Sequence, residues 1–247
     1  MLNTEPEYKM KIYEQLLVGR LELDLQQIEI ALRQRAPYLK RIIRKWFPPD
    51  KDIHILDLGC GYGAFLYFLK QESYFNIEGV DVSLKNIEVA KKIGIENIYN
   101  EDLICFLQKS KSSFYDYIIA FDILEHFPKQ KGILIFEEIY RLLKPGGKLL
   151  LHVPNGEAIF SGAVFFSDLT HEVCFTRSSL QQLVRLCRFK SVHFYEDVPI
   201  IHGFKSAIRN LLWKIIRIVY LLIYMVETGD NAKDLVLSQN LLAVVEK

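Results

Sequence analysis

Asp57-Leu58-Gly59-Cys60-Gly61-Tyr62-Gly63 is the stretch on which the fold reading turns. It follows a short apolar run, Ile53 to Leu58, and precedes a helical pattern, so it lies where a strand passes into a helix. Its glycines let the backbone approach a ligand closely, and the N–H groups at the helix start favour a nucleotide-like partner. The spacing is GxGxG, whereas a dinucleotide fingerprint requires GxGxxG. Asp57 also precedes the first glycine, where its carboxylate would repel a pyrophosphate but would suit the ammonium of a methionine-like zwitterion. A nicotinamide dehydrogenase is the rival reading, and these two details weigh against it.

Working outward, Asp81 closes a second apolar run in Gly79-Val80-Asp81, where a carboxylate can accept from both hydroxyls of an unphosphorylated ribose. Glu101-Asp102-Leu103 follows a third run, where Asp102 can accept from an adenine amino group while Leu103 covers the ring. Taken singly, each acid has a plain alternative: Asp57 as a turn former, Asp81 and Asp102 as helix caps. Together, at successive strand ends of one parallel sheet, they match three parts of one ligand.

The chain has 247 residues, half of them hydrophobic and a quarter charged, which is enough apolar material for one sizeable core. A net charge of +1 gives no global attraction to nucleic acid. Cys60, Cys105, Cys174 and Cys187 show neither a CxxC pair nor a disulfide framework, and Met1 to Lys11 lacks the apolar core of an export signal, so a reduced, cytoplasmic setting is expected. Strands are predicted at Ile53–Leu58, Asn76–Asp81, Asn97–Asn100, Tyr115–Phe121, Lys148–Val153, Ser191–Glu196 and Asn240–Val245, with helices between them. Residues 5–47 read as a helical preamble, with Leu21, Leu25, Ile28 and Leu32 at helical spacing, divided at Pro37. Arg33 to Lys45 carries six basic residues and no acid. Lys144-Pro145-Gly146-Gly147 is expected to end a helix and turn into a strand, and Thr176 to cap a helix over 178–188.

Asp57 to Phe65, Gly79-Val80-Asp81-Val82-Ser83, Asn100 to Leu103, Phe121-Asp122-Ile123-Leu124-Glu125-His126 and Leu143 to Gly147 resemble, in order, the motifs of class I S-adenosylmethionine (SAM)-dependent methyltransferases. The resemblance implies a Rossmann-like α/β fold: a mostly parallel seven-stranded sheet flanked by helices, with an N-terminal helical extension (1–48) and a C-terminal helical insertion within a methyltransferase domain (49–247). Residues 156–235 would form the acceptor side. It implies SAM as cofactor, held by Asp57, Gly59, Cys60, Gly61, Gly63, Asp81, Val82, Asp102, Leu103, Phe121 and Asp122. His152-Val153-Pro154-Asn155, Asp168 to Glu172, Phe175-Thr176 and the closing Ser238 to Val244 are similar to methyltransferases of bacterial surface-polysaccharide biosynthesis, which implies a sugar or glycan acceptor.

Methyl transfer from a sulfonium needs positioning and removal of a proton, and histidine is the natural base. His126, after the fourth strand, and His171, in the following loop, are the candidates, with a capping or packing role as the alternative for each. Glu125, Asn155 and Arg177 are expected to contact the acceptor. Asp122, Glu125 and His126 at i, i+3, i+4 could present hard-metal ligands on one helical face, as in some quinone-pathway methyltransferases, but no metal is expected. His54, His152, His193 and His202 are assigned nothing. Lys205 to Val226 reads as a basic amphipathic helix for a membrane interface, or as one packed on the sheet or in a homodimer. Its apolar stretch, broken by Lys214 and Arg217, is too short to span a bilayer. The alternatives are a small-metabolite nitrogen or quinone-like acceptor, or a SAM-binding protein without turnover.

Overall fold

The computed structural model describes residues 25–198, 200, 203–229, 231 and 234–247, together with 8, 9, 11 and 12. Leu21, most of the helical reading before residue 25, and His202 lie outside the described residues.

Seven strands form one sheet: β1 (Ile55–Leu58), β2 (Ile77–Asp81), β3 (Ile98–Asn100), β4 (Tyr115–Phe121), β5 (Leu143–Pro154), β6 (Ser191–Glu196) and β7 (Asn240–Glu246), in the order β3-β2-β1-β4-β5-β7-β6. The first five are parallel, and β7 runs antiparallel between β5 and β6. The connections reverse direction between β1 and β4, and a doubly wound sheet opens its ligand crevice beyond the strand ends at such a switch point.

Both faces are covered, which is why the strands read as near-continuous apolar runs. Ile118, Ala120, Leu149 and Leu151 face one core with α4 (Leu103–Lys109), α5 (Lys129–Leu142) and α7 (Arg177–Leu186). Tyr117, Ile119 and Leu150 face the other with α1 (Leu25–Trp46), α2 (Ala64–Gln71) and α3 (Leu84–Lys92). A short α6 (Ser161–Phe165) follows β5.

Pro37 does not divide α1, which runs through it unbroken. Pro37 is exposed, away from the buried stripe Ile28, Leu32, Leu39, Ile42 and Ile43, so the helix forgoes a hydrogen bond on its open side and keeps its packing. Lys144 to Gly147 lies within β5. Leu143 pairs with Tyr115, the chain bulges with Gly146 at φ 76°, and regular pairing resumes at Lys148 opposite Tyr117. Thr176 caps α7 as expected, with Ser179 returning the bond in a capping box.

The last helix, α8 (Phe204–Thr228), is held by one side only. Ser206, Asn210, Trp213, Arg217, Leu221 and Tyr224, at helical spacing, are its shielded positions. Trp213, Leu221 and Tyr224 pack on Leu235 and Leu237, and Arg217 Nε donates to Glu196 Oε1 at 3.1 Å. The opposite side, Phe204, Ile208, Leu211, Ile215, Val219, Leu222 and Val226, is exposed and carries no charge. No helix among the described residues is long and apolar enough to cross a membrane.

Candidate active site

The glycine loop lies at the tip of β1. Gly59 has φ 63°, and a Cβ there would come within 2.6 Å of the Ile123 side chain, so only glycine allows the β1 and β4 tips to approach. Gly61, at φ 55°, donates its N–H to Asp81 Oδ2 at 2.9 Å, while Asp81 Oδ1 accepts from Ser83 N at 2.9 Å and Asn86 Nδ2 at 3.0 Å. Asp81 thus both fixes the loop and starts the next helix. Burial raises its pKa, and these three donors oppose the rise. Asn86, unnoticed in the sequence, holds it in place.

Asp57 is 3% exposed, and burial, then Asp81, pushes its carboxyl well above the usual range. The opposing charge is Arg35 of α1, which also lowers Asp122 and lies 5.9 Å from the Tyr62 ring. A guanidinium beside this loop is placed to pair with a ligand carboxylate. The signal for it was the acid-free stretch after Arg33.

Asp102 caps α4, accepting from Cys105 N at 3.0 Å, so its plain alternative is realised at the strand end where the ligand reading also needs it. Leu103 packs into the core, whereas Val82 is 37% exposed and offers an apolar surface at this rim. Cys60 is partly buried beside the loop; its thiol is pushed up by burial, then by Asp57 and Asp81. Gly63, at φ 75°, caps α2.

At the tip of β4, Asp122 adopts φ 52° and donates its N–H to His152 O at 3.0 Å. His152 Nδ1 stands 2.6 Å from Asp122 Oδ1, Nε2 stands 3.3 Å from Asp197 Oδ2, and its ring stacks on Phe121 at 4.9 Å. Burial disfavours the imidazolium, but Asp122 and Asp197 overcome it and hold the pKa at about 10. His152 carries no signal in the sequence, since nothing in the chain order shows that both ring nitrogens meet carboxylates. Asp122 therefore faces His152, and the Asp122, Glu125, His126 face that the spacing allowed does not form in the 3-10 turn.

Glu125 and His126 lie in a 3-10 turn (Leu124–His126). Glu125 is 1% exposed, and burial, reinforced by Asp122, raises its carboxyl to about 8; Oε2 has no hydrogen-bond partner among the described residues. Its carbonyl accepts from Glu172 N at 2.7 Å and Val173 N at 3.1 Å, tying the turn to the loop that carries His171. His126 and His171 therefore meet, with ring centroids 4.9 Å apart, and burial followed by His171 lowers the His126 pKa. Lys9 Nζ donates to His126 O at 2.5 Å and pairs with Glu172 at 3.0 Å.

Two expected acceptor contacts are structural. Asn155 is 1% exposed; its amide donates to Val236 O at 2.8 Å and Ser238 O at 2.9 Å, and its Oδ1 accepts from Glu157 N at 3.0 Å. Arg177 Nε donates to Glu157 Oε2 at 2.7 Å and Nη1 to the Asp234 carbonyl. Both staple the segment after β5 to the approach to β7, which engages both N–H donors of the Asn155 amide and two of the five Arg177 donors with the protein.

A parallel sheet ending in a glycine loop, with a carboxylate at the next strand tip and a buried acid near a guanidinium, is an arrangement that suits a nucleoside at the switch point. Residues 31–195 match the methyltransferase domain family, and the chain belongs to it. The chain is thus a member of the class I SAM-dependent methyltransferase family, whose cofactor is SAM. It is similar to a probable tRNA methyltransferase 9B of Homo sapiens, 28% identical over 53% of this chain and 30% of that one. In fold it is similar to a SAM-dependent methyltransferase from Archaeoglobus fulgidus (TM-score 0.61, 20% identity, covering 95% of this chain and 100% of that one). It is also similar to a Haemonchus contortus phosphoethanolamine N-methyltransferase 2 solved with phosphomonomethylethanolamine and S-adenosylhomocysteine (TM-score 0.56, 18% identity, covering 85% and 52%). The chain spans about half or less of the length of the first curated relatives it matches.

Proposed function

We propose that this chain methylates a hydroxyl of a sugar or glycan that carries an anionic group, working at a membrane surface. The observation that carries the reading is a cavity of about 810 Å³ between α1, the end of β6 and α8, lined by Tyr38, Asp197, Phe160, Trp213, Arg33 and Arg209 among others. Aromatic faces beside a phenol and a carboxylate suit a sugar ring with hydroxyls, and two guanidiniums suit a phosphate. Tyr38 Oη is buried beside the Asp197 carboxylate, so a ligand hydroxyl there could bridge the phenol and the carboxylate. Asp197 links the cavity to the cofactor end through His152 and Asp122.

When bound, SAM supplies a methyl group already activated on a sulfonium. Asp57, Asp81, Asp102 and Arg35 would hold it. His171 Nδ1 donates to Phe165 O at 2.7 Å, which leaves Nε2 as a proton acceptor for an incoming hydroxyl, a contribution of about 10²–10⁴-fold. The outward face of α8, with Lys205 and Arg209 on one flank and Lys214 on the other, has the composition of a helix lying in an anionic interface. A lipid-linked sugar phosphate is therefore the favoured form of acceptor.

The test is transfer of labelled methyl from SAM to a panel of nucleotide-linked and lipid-linked sugars. Transfer to the lipid-linked set, lost in Tyr38→Phe with Asp197→Asn, is expected. Transfer only to a nitrogen or quinone acceptor would refute the sugar reading.

A further inference from the structure

We propose that Glu125, His126 and His171 form a binding site for a divalent transition-metal ion of the zinc class. One ligand atom from each lies within 4.8 Å of the others, and the three come from two segments, the turn after β4 and the loop after α6. The donors are two imidazoles and a carboxylate, the set that zinc and its neighbours take with a position left open for another ligand.

The surrounding hydrogen bonds fix which ring nitrogens point inward. Thr170 Oγ1 lies 2.6 Å from Asp168 Oδ1 and 2.8 Å from His126 Nδ1. The hydroxyl proton goes to the carboxylate, so the hydroxyl oxygen accepts from Nδ1–H, and the His126 lone pair resides on Nε2. His171 Nδ1 must donate to the carbonyl of Phe165, 2.7 Å away, so its lone pair also resides on Nε2. An imidazole that gives its outer N–H to a carboxylate relay or a backbone carbonyl is the usual arrangement around a ligated metal.

The third ligand supplies the independent observation. Glu125 Oε2 is buried in a residue 1% exposed and has no hydrogen-bond partner among the described residues, although an orphaned buried carboxylate oxygen is costly. An ion between the three would satisfy it. The positive charge nearest the turn, Lys9, is matched by Glu172 at 3.0 Å. Coordination at about 2.0–2.2 Å would draw the three atoms about an ångström closer, a change that side-chain rotations provide.

This departs from the sequence expectation, which foresaw no metal and weighed only a hard-metal triplet containing Asp122. When the ion is bound, His171 Nε2 is a ligand and no longer the proton acceptor of the acceptor reading, so the two roles exclude one another; the site is measured without acceptor or SAM. Chelator-treated full chain is titrated with Co²⁺ and followed by its visible ligand-field absorption, with SAM affinity measured in parallel. Expected is one saturable, chelator-reversible ion per chain, weakened at least about 100-fold in Glu125→Gln and His171→Gln. In Thr170→Val, which removes only the relay, the loss would be about 10–100-fold. SAM affinity would stay within about twofold in every variant, so loss of a variant's fold would be visible as loss of SAM binding. No band from wild-type protein that binds SAM, or a band unchanged in both Gln variants, overturns the site.

Discussion

His152 Nδ1 and Asp122 Oδ1 lie 2.6 Å apart across the tips of β5 and β4, and the contact fixes the backbone of the strand end that faces the cofactor crevice. His152 Nε2 faces Asp197, so one buried ring joins that crevice to the neighbouring cavity.

The pair gives the fold a pH signature. His152 is held at about 10 against an ordinary value of 6.5, so the folded state binds the proton more tightly. Its stabilisation is complete below pH 6.5 and is lost as pH rises through about 10. Asp122 is held below its ordinary value because His152 outweighs the effect of burial, and that contribution disappears as pH falls through the acid range. His152→Gln should cost about 2 kcal/mol at pH 6, discounted for an Asp122 side chain that is 56% exposed. Denaturant titrations should show the difference from wild type shrinking toward pH 10.

Gly59→Ala places a methyl within 2.6 Å of Ile123 at a left-handed φ. A loss of about 1–3 kcal/mol and at least tenfold weaker SAM binding are expected from chemical denaturation and calorimetry. Gly146→Ala shares the positive φ but meets no atom within 4 Å, so it should cost stability and spare SAM affinity.

Asn155→Ala and Arg177→Ala should behave as structural lesions. Asn155→Ala leaves buried carbonyls of Val236 and Ser238 unpaired and should cost about 1–3 kcal/mol, with acceptor KM unchanged once the protein is folded. A raised KM at full stability would restore their acceptor role.

Ile215→Glu with Leu222→Glu puts charge on the outward face of α8, where both side chains are more than half exposed. Thermal stability should move by less than about 0.5 kcal/mol, since neither packs on the body. Co-sedimentation with anionic vesicles should be lost. If binding to vesicles never occurs and the substitutions instead convert a dimer to a monomer, the face belongs to a second copy of the chain.

The fold was legible because each strand boundary carries its own punctuation. Gly59 to Gly63, Asp81 and Asp102 sit at strand ends that the sheet brings together at one edge. What escaped was chemistry made by distant segments. His152 gains its role from Asp122 and Asp197, Arg35 from a helix folded over the glycine loop, and Glu125 from a turn that buries it. Asn155 and Arg177 looked functional because a polar residue at a loop start reads the same whether it faces a ligand or the protein. Pro37 misled because the cost of a helical proline depends on which side of the helix it faces, and only packing settles that.

The most direct measurement is isothermal titration of the full chain with SAM and S-adenosylhomocysteine, alongside Asp81→Ala checked for folding by circular dichroism. Micromolar binding of both ligands by wild type, lost by at least about 100-fold in the folded variant, is expected, since the Asp81 carboxylate holds the glycine loop and would accept from the ribose hydroxyls. Folded wild-type protein that binds neither ligand, or Asp81→Ala that binds both unchanged, would contradict the site at the tips of β1 and β2.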